Sequence, residues 1–199
     1  MADKKFPASA RNIFYHGSAR AGIEQLTPRS ILHGTEASVV YLTDCIPYAL
    51  TYIWDERHIG CAQKHVTAWV QNGVTYYEEQ FPNQLKTFYK GASGYLYLLS
   101  ARGNVEQMER RHGVFYSRKP AEVEDVLPIP DVYEVLLRYE ALGQLRVLHY
   151  PDLPQQRREE LVEVMAEELR RENFYCNDRA RAEFMQKYFP AAWNRAREK

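Results

Sequence analysis

Apolar residues along this chain follow two rhythms. Over the first two-thirds they come in short β-branched and aromatic runs broken by Gly, Pro and Asn, and over the last third they recur at helical spacing. Strands are expected at 13–16, 39–43, 65–70, 74–78 and 95–99, where Val, Ile, Tyr and Leu suit a half-buried pleat. Asn72-Gly73 between two of these runs predicts a tight hairpin, because both central residues must reach positive φ. Residues 113–117 and 121–127 read as a further strand pair. Residues 47–54 carry Ala49, Leu50, Ile53 and Trp54 at helical spacing. Asp131 is a plausible N-cap for a helix over 132–142, with Gly143 as its stop. Residues 154–172 place Leu161, Val162, Met165 and Leu169 on one face, and a last helix over 178–188 is expected to stop at Pro190.

This order predicts an α+β fold. A β-rich body over residues 1–150 would carry a C-terminal helical appendage, 151–199, packed on it. Residues 155–199 hold ten Lys/Arg and nine Asp/Glu, so the appendage reads as a solvated amphipathic segment with its apolar stripe turned inward. The expectation is that it contributes packing and regulation but no catalytic side chain.

Charge and composition narrow the function. Twenty-six Lys+Arg balance 26 Asp+Glu, which argues against wholesale coating of nucleic acid while leaving room for a local basic patch. No apolar run approaches the ~18–20 residues that span a bilayer, and residues 1–7 lack the apolar stretch of a signal peptide. No membrane partner is expected. Three widely spaced cysteines, Cys45, Cys61 and Cys176, do not suggest a disulfide framework, so a reducing cytoplasm is the default. Fifteen tyrosines are an unusual wealth of rings that suit planar ligands as well as β-cores.

The chemistry concentrates in Phe14-Tyr-His-Gly-Ser18, Gly22-Ile-Glu-Gln-Leu-Thr-Pro28, Val40-Tyr-Leu-Thr-Asp44 and Ala49-Leu-Thr-Tyr52. His16 ends a strand, and Gly17 after it would let a ligand approach the backbone closely. Tyr41 on a strand and Tyr52 on the following helix could face each other across a gap one ring thick. Such a gap would clamp a flat heteroaromatic group, including a cationic one.

These residues resemble the ADP-ribosyltransferase superfamily, in the His-Tyr-Glu branch of the poly(ADP-ribose) polymerases and diphtheria toxin. That branch carries His-Gly-Ser, a glycine-containing loop, and a Tyr-Phe-Ala-Asp strand with a second Tyr eleven residues after the first. Here stand His16-Gly17-Ser18, Gly34-Thr35 and Tyr41-Leu-Thr-Asp44, with Tyr52 at the same spacing. The resemblance covers residues 13–54, about a quarter of the chain. It implies a split β-sheet body with NAD as substrate, held by His16, Gly17, Ser18, Tyr41, Thr43 and Tyr52. The Gly17 backbone would take the nicotinamide carboxamide, His16 a ribose hydroxyl, and the two tyrosines would sandwich the nicotinamide. Ala49 stands where the polymerases have a Ser that also bonds the carboxamide.

His16 and Tyr41 then form part of a catalytic triad whose carboxylate is expected on a later strand, where it would stabilise the oxocarbenium-like transition state. Glu122 in Lys119-Pro-Ala-Glu-Val-Glu-Asp125 is the first candidate. Glu124, expected on the same strand face, is the second, and Glu78 and Glu79 are weaker ones. Arg102, Arg110, Arg111, Arg118 and Lys119 form a basic run that reads as an exposed loop or as a grip on pyrophosphate or a nucleic-acid acceptor. His58, Cys61 and His65 look like three metal ligands without the fourth that a structural zinc wants, and no metal is expected. Three functions follow: a mono-ADP-ribosyltransferase acting on an unknown protein or nucleic-acid acceptor; an RNA 2′-phosphotransferase-like enzyme, for which Arg118 is the one suggestive residue; and a non-catalytic binding module on the same fold.

Overall fold

The computed structural model describes residues 13–32, 34–100, 105–109 and 111–198. Twelve strands and seven α-helices are found among them. The strands are β1 (Ile13–Ser18), β2 (Gln25–Leu26), β3 (Ser30–Ile31), β4 (Ser38–Thr43), β5 (Thr67–Gln71), β6 (Val74–Glu78), β7 (Gly94–Ser100), β8 (Glu106–Gln107), β9 (Val114–Ser117), β10 (Ala121–Glu122), β11 (Asp125–Ile129) and β12 (Leu145–Leu148). The helices are α1 (Ile46–Leu50), α2 (Glu56–Ile59), α3 (Gln84–Tyr89), α4 (Val132–Ala141), α5 (Gln155–Arg171), α6 (Arg179–Tyr188) and α7 (Pro190–Arg197). The expected signal-free N-terminus, residues 1–7, lies outside the described residues. Among those described, no helix is long and apolar enough to cross a membrane.

The fold is mixed α and β, built on open, largely antiparallel sheets. The main sheet runs β11-β7-β1-β4-β9-β8, with β3 added against β4. A second sheet runs β12-β6-β5, its β12–β6 pair parallel, and β2 and β10 form a two-stranded ribbon. The predicted hairpin joins β5 and β6. Asn72 and Gly73 have φ of 51° and 76°, and Gln71 pairs with Val74 across the turn. The Asp131 carboxylate accepts the Glu134 N–H at 3.1 Å, and Gly143 turns the chain out of α4 at φ 71°.

β1 pairs with β7 along all six of its residues but meets β4 at a single register pair, Tyr15 with Thr43. Beyond that point β1 and β4 separate. The backbone of His16–Ser18 on the β4 side therefore lacks a continuous ladder, which in a central strand leaves room for something other than a strand.

One large hydrophobic cluster runs through the molecule. Tyr15, Leu50, Ile53 and Leu96 from the body share it with Met165, Leu169, Phe184 and Ala192 from the C-terminal helices. The apolar stripe of α5 is buried there through Leu161, Met165, Ala166 and Leu169. Glu78, buried on β6, accepts two hydrogen bonds from Arg157 at 2.9 and 2.8 Å and ties α5 to the second sheet.

Three sequence expectations are corrected. The run 121–127 does not pair with 113–117: β9 lies between β4 and β8, whereas β10 pairs with β2 and β11 with β7. The run breaks because its first residues reach toward the ribbon and its later ones toward the main sheet. The helix expected over 47–54 ends at Leu50, and Tyr52 lies in the turn beyond it, pinned by the buried Tyr89 hydroxyl donating to the Thr51 carbonyl at 2.7 Å. Pro190 stops α6 but also opens α7, because its fixed φ and missing N–H suit a first helical turn.

Candidate functional site

The separation of β1 from β4 opens into a cavity of about 420 Å³, within the usual size of small-molecule sites. All six residues expected to hold a ligand line it: His16, Gly17, Ser18, Tyr41, Thr43 and Tyr52. They come from β1, β4 and the turn after α1, so the fold gathers residues spread over nearly forty positions of sequence.

His16 is the best-defined polar group in the wall. Its Nδ1 lies 3.1 Å from the Tyr41 carbonyl oxygen, bridging the two strands where they part. A carbonyl only accepts, so Nδ1 carries the proton. Burial holds the imidazole below its ordinary pKa, against a smaller opposing pull from the Tyr41 carbonyl. The neutral ring therefore leaves Nε2 as an acceptor, suited to a ligand hydroxyl.

Gly17 also has a packing reason to lack a side chain. A Cβ there would lie 2.0 Å from the Ala49 carbonyl oxygen and 3.1 Å from Ile53 Cγ1. Its lack of a side chain lets α1 seat directly against β1, and this contact places Ala49 and Tyr52 on the cavity. Thr43 also works structurally. Its hydroxyl donates to the Gly113 carbonyl at 2.6 Å and accepts the Cys45 N–H at 3.0 Å, leaving little for a ligand. The Ser18 hydroxyl accepts the Arg20 N–H at 3.1 Å.

Each of the two tyrosine hydroxyls is held by a neighbour in the fold. Tyr41 donates through its hydroxyl to the Ile31 carbonyl at 3.2 Å. Tyr52 shares a hydroxyl contact of 3.0 Å with Tyr48, which also lines the wall. The Lys64 ammonium lies 3.1 Å from the centroid of the Tyr52 ring, so one face of that ring is already occupied by a cation.

The candidate carboxylates are dispersed. Glu122 does not line the cavity. It is exposed on β10 and accepts a hydrogen bond from Gln25 Nε2, and Gln25 does line it. Glu124 turns elsewhere, accepting from Ser100, so the shared face expected for the two is lost with the break in the strand. Glu78 is committed to Arg157. Glu79 is buried, accepting the Leu85 and Tyr150 N–H groups at 3.1 and 3.2 Å. The carboxylate that does line the wall is Glu24, beside Gln25 and within the quoted Gly22–Pro28 stretch, yet not among the residues picked from it.

Two cations were also missed. Arg20 and Arg29 line the cavity, whereas Arg118 and Lys119 do not. Arg118 stands 3.8 Å from the Glu106 carboxylate. Arg102 and Arg110 lie outside the described residues. Arg20 is placed by Tyr97, whose hydroxyl donates to the Arg20 carbonyl at 2.7 Å and receives the Ile23 N–H at 3.4 Å. No sequence signal marked that buried Tyr among fifteen. Of the metal-like trio, His58 is exposed, Cys61 is buried, and His65 stacks on Phe184 at 5.2 Å. Among the described residues no three or more His, Cys, Asp or Glu gather in a metal-holding group.

Compared with protein-family models, curated proteins and solved structures, the chain matches none.

Proposed function

We propose that this chain is an ADP-ribosyltransferase of the His-Tyr-Glu type, with the β1–β4 cavity as its NAD site and a macromolecule as acceptor. The observation that carries the reading is the convergence of His16, Gly17, Ser18, Tyr41 and Tyr52 on one cavity, with the His16 Nε2 left as an acceptor. The chemistry that NAD supplies is a ribosyl bond to a pyridinium nitrogen, which departs as neutral nicotinamide once it takes the bonding electron pair.

The residues present fit that substrate. His16 Nε2 accepts from a ribose hydroxyl and fixes the sugar. The free edge of β1 offers backbone groups to the carboxamide, which matters here because Ala49 supplies none. Tyr41 and the uncovered side of Tyr52 border the nicotinamide. Arg20 and Arg29 neutralise the pyrophosphate, Arg as a fork suited to its oxygens. The β2–β10 ribbon supplies the negative charge that faces the ribose as it becomes cationic, through Glu24 on the wall and Glu122 behind its partner Gln25. The attacking acceptor atom gives up its proton to solvent as the new bond to the ribose forms. Three free cysteines suit work in a reducing cytoplasm.

The test is direct. NAD should raise the melting temperature by mass action, as a ligand of the folded state does, and Tyr41→Ala should abolish the rise. Transfer of label from adenine-labelled NAD to acceptor separates the transferase from a phosphotransferase, which leaves no stable label, and from a binding module, which transfers nothing. No thermal shift with NAD would end the reading.

A further inference from the structure

A second cavity, of about 750 Å³, adjoins the first and shares Tyr48, Tyr52 and Val114 with it. Its charge is one-sided. Lys64 and Arg111 line it, with the His112 ring beside them, and among the described residues no Asp or Glu does, in a chain whose total charge is balanced. None of the three forms an ion pair among the described residues. Lys64 is half-buried over the Tyr52 ring, and burial lowers its pKa from 10.5 to about 7. An ammonium held there without a carboxylate partner is poorly compensated, and an incoming anion would relieve it.

The wall also offers a ring. Trp69 on β5 lines the cavity and stacks on Tyr76 of β6 at 5.3 Å with the planes 8° apart, so the indole is braced by a residue that is not itself in the lining. Gln71 and Asn72 at the hairpin turn add hydrogen-bonding groups beside it. Cations that meet phosphates, together with a braced aromatic surface, are what single-stranded nucleic-acid sites use. A peptide of acidic side chains alone would use the cations but brings no ring to stack on the indole.

We propose that this second cavity holds a single-stranded nucleic acid, with phosphates on Lys64 and Arg111 and a base on Trp69. Resting on the transferase reading above, that strand is the acceptor, delivered to the shared Tyr48–Tyr52 wall where the two cavities meet. The local basic patch is compatible with zero net charge because only a short stretch of strand is gripped.

Fluorescence anisotropy of a short labelled oligothymidylate, measured on the full chain without NAD, tests the site alone. Binding should weaken with salt. Arg111→Ala should flatten the slope of log affinity against log salt by about 0.7, one single-strand phosphate contact. Trp69→Ala should weaken binding about tenfold with the slope unchanged, the scale of one stacked base. Trp69→Phe, which keeps a ring and protects folding, should recover part of the loss. No binding by the wild type, binding that neither variant alters, or polyglutamate binding as tightly as the strand overturns the proposal. The NAD-induced thermal shift of the same preparations keeps the two readings apart. A shift retained without strand binding sinks only the second cavity, whereas strand binding without a shift sinks the transferase and with it the acceptor role.

Discussion

The two ends of this molecule treat polar groups in opposite ways. Where the C-terminal helices meet the body, charged groups answer one another. Glu78 is held by Arg157, and Glu168 by Arg181 at 2.9 Å and by the Tyr175 hydroxyl, while Glu163 takes both Arg170 and Arg195. At the β1–β4 opening, His16, Arg20, Arg29 and Glu24 line the cavity, Arg29 also donating through Nε to the Thr27 hydroxyl at 3.0 Å. Buried polar groups need partners, and at the helical end Glu78 has one in Arg157; at the opening only His16 is partly buried, while Arg20, Glu24 and Arg29 are exposed and stay hydrated until a ligand replaces the water. On the proposed function, the first end serves packing and the second serves the ligand.

The largest effect should come from breaking the satisfied end. Arg157→Ala leaves the Glu78 carboxylate buried and unpaired, which costs about 3 kcal/mol. Urea unfolding should show that loss while the NAD-induced thermal shift persists. A variant that keeps full stability, or loses the shift without losing stability, would mean the two ends are not separate in role.

At the open end the corresponding change should spare stability and remove chemistry. Glu24→Gln and Glu122→Gln should each keep the NAD-induced shift. The one whose carboxylate faces the ribose should lose transfer by about 10²-fold, the scale of one removed electrostatic stabiliser. Because Glu24 lines the wall and Glu122 reaches it through Gln25, the pair tells direct from indirect action. Normal transfer by both variants would remove the ribbon from the mechanism.

Gly17→Ala sharpens the boundary between the ends, because the glycine serves packing at a residue of the site. The added methyl meets backbone at Ala49, and overpacking of this kind costs about 2 kcal/mol. Melting temperature should fall and NAD binding with it, since α1 carries Tyr52 outward. An alanine variant with wild-type stability would show that α1 is not seated as described.

A separate effect is a pH dependence. With the Lys64 pKa lowered to about 7 by burial, the unfolded chain binds more protons than the folded one between about pH 7 and 10.5. Lys64 therefore makes stability rise with pH across that window, and its burden is fully present below it. Lys64→Met should flatten that part of the profile relative to wild type. An unchanged slope would mean the ammonium is better solvated than its position over Tyr52 implies.

Much of the lining of the candidate cavity was legible in sequence because it rests on short-range constraints. His16-Gly17-Ser18 and the Tyr41–Tyr52 spacing lie within one strand-turn-helix stretch, where local geometry and sequence distance coincide. The carboxylate was harder because its position depends on strand pairing. Ala121–Glu122 and Asp125–Ile129 look like one strand in composition, and the choice of different partners for the two halves separates Glu122 from Glu124. Short strands were missed for the same reason: β2 and β12 are defined by their neighbours, with too few residues to show alternation.

The sequence by itself determined the local elements whose signals are chemical. These are the Asn72-Gly73 hairpin with its two positive φ angles, the Asp131-capped helix, the amphipathic α5, and the His-Gly-Ser and paired-Tyr pattern. Those features need only backbone sterics, capping and periodicity, all read within a few residues. Tertiary structure alone decided that β1 and β4 part after one register pair, that Gly17 makes room for α1, that Arg20, Arg29 and Glu24 border the opening, and that Lys64, Arg111 and Trp69 line one cavity beside it. Each of these depends on which distant segments pack together. That packing is selected by the burial of the whole apolar cluster and not by any stretch of chain short enough to be read alone.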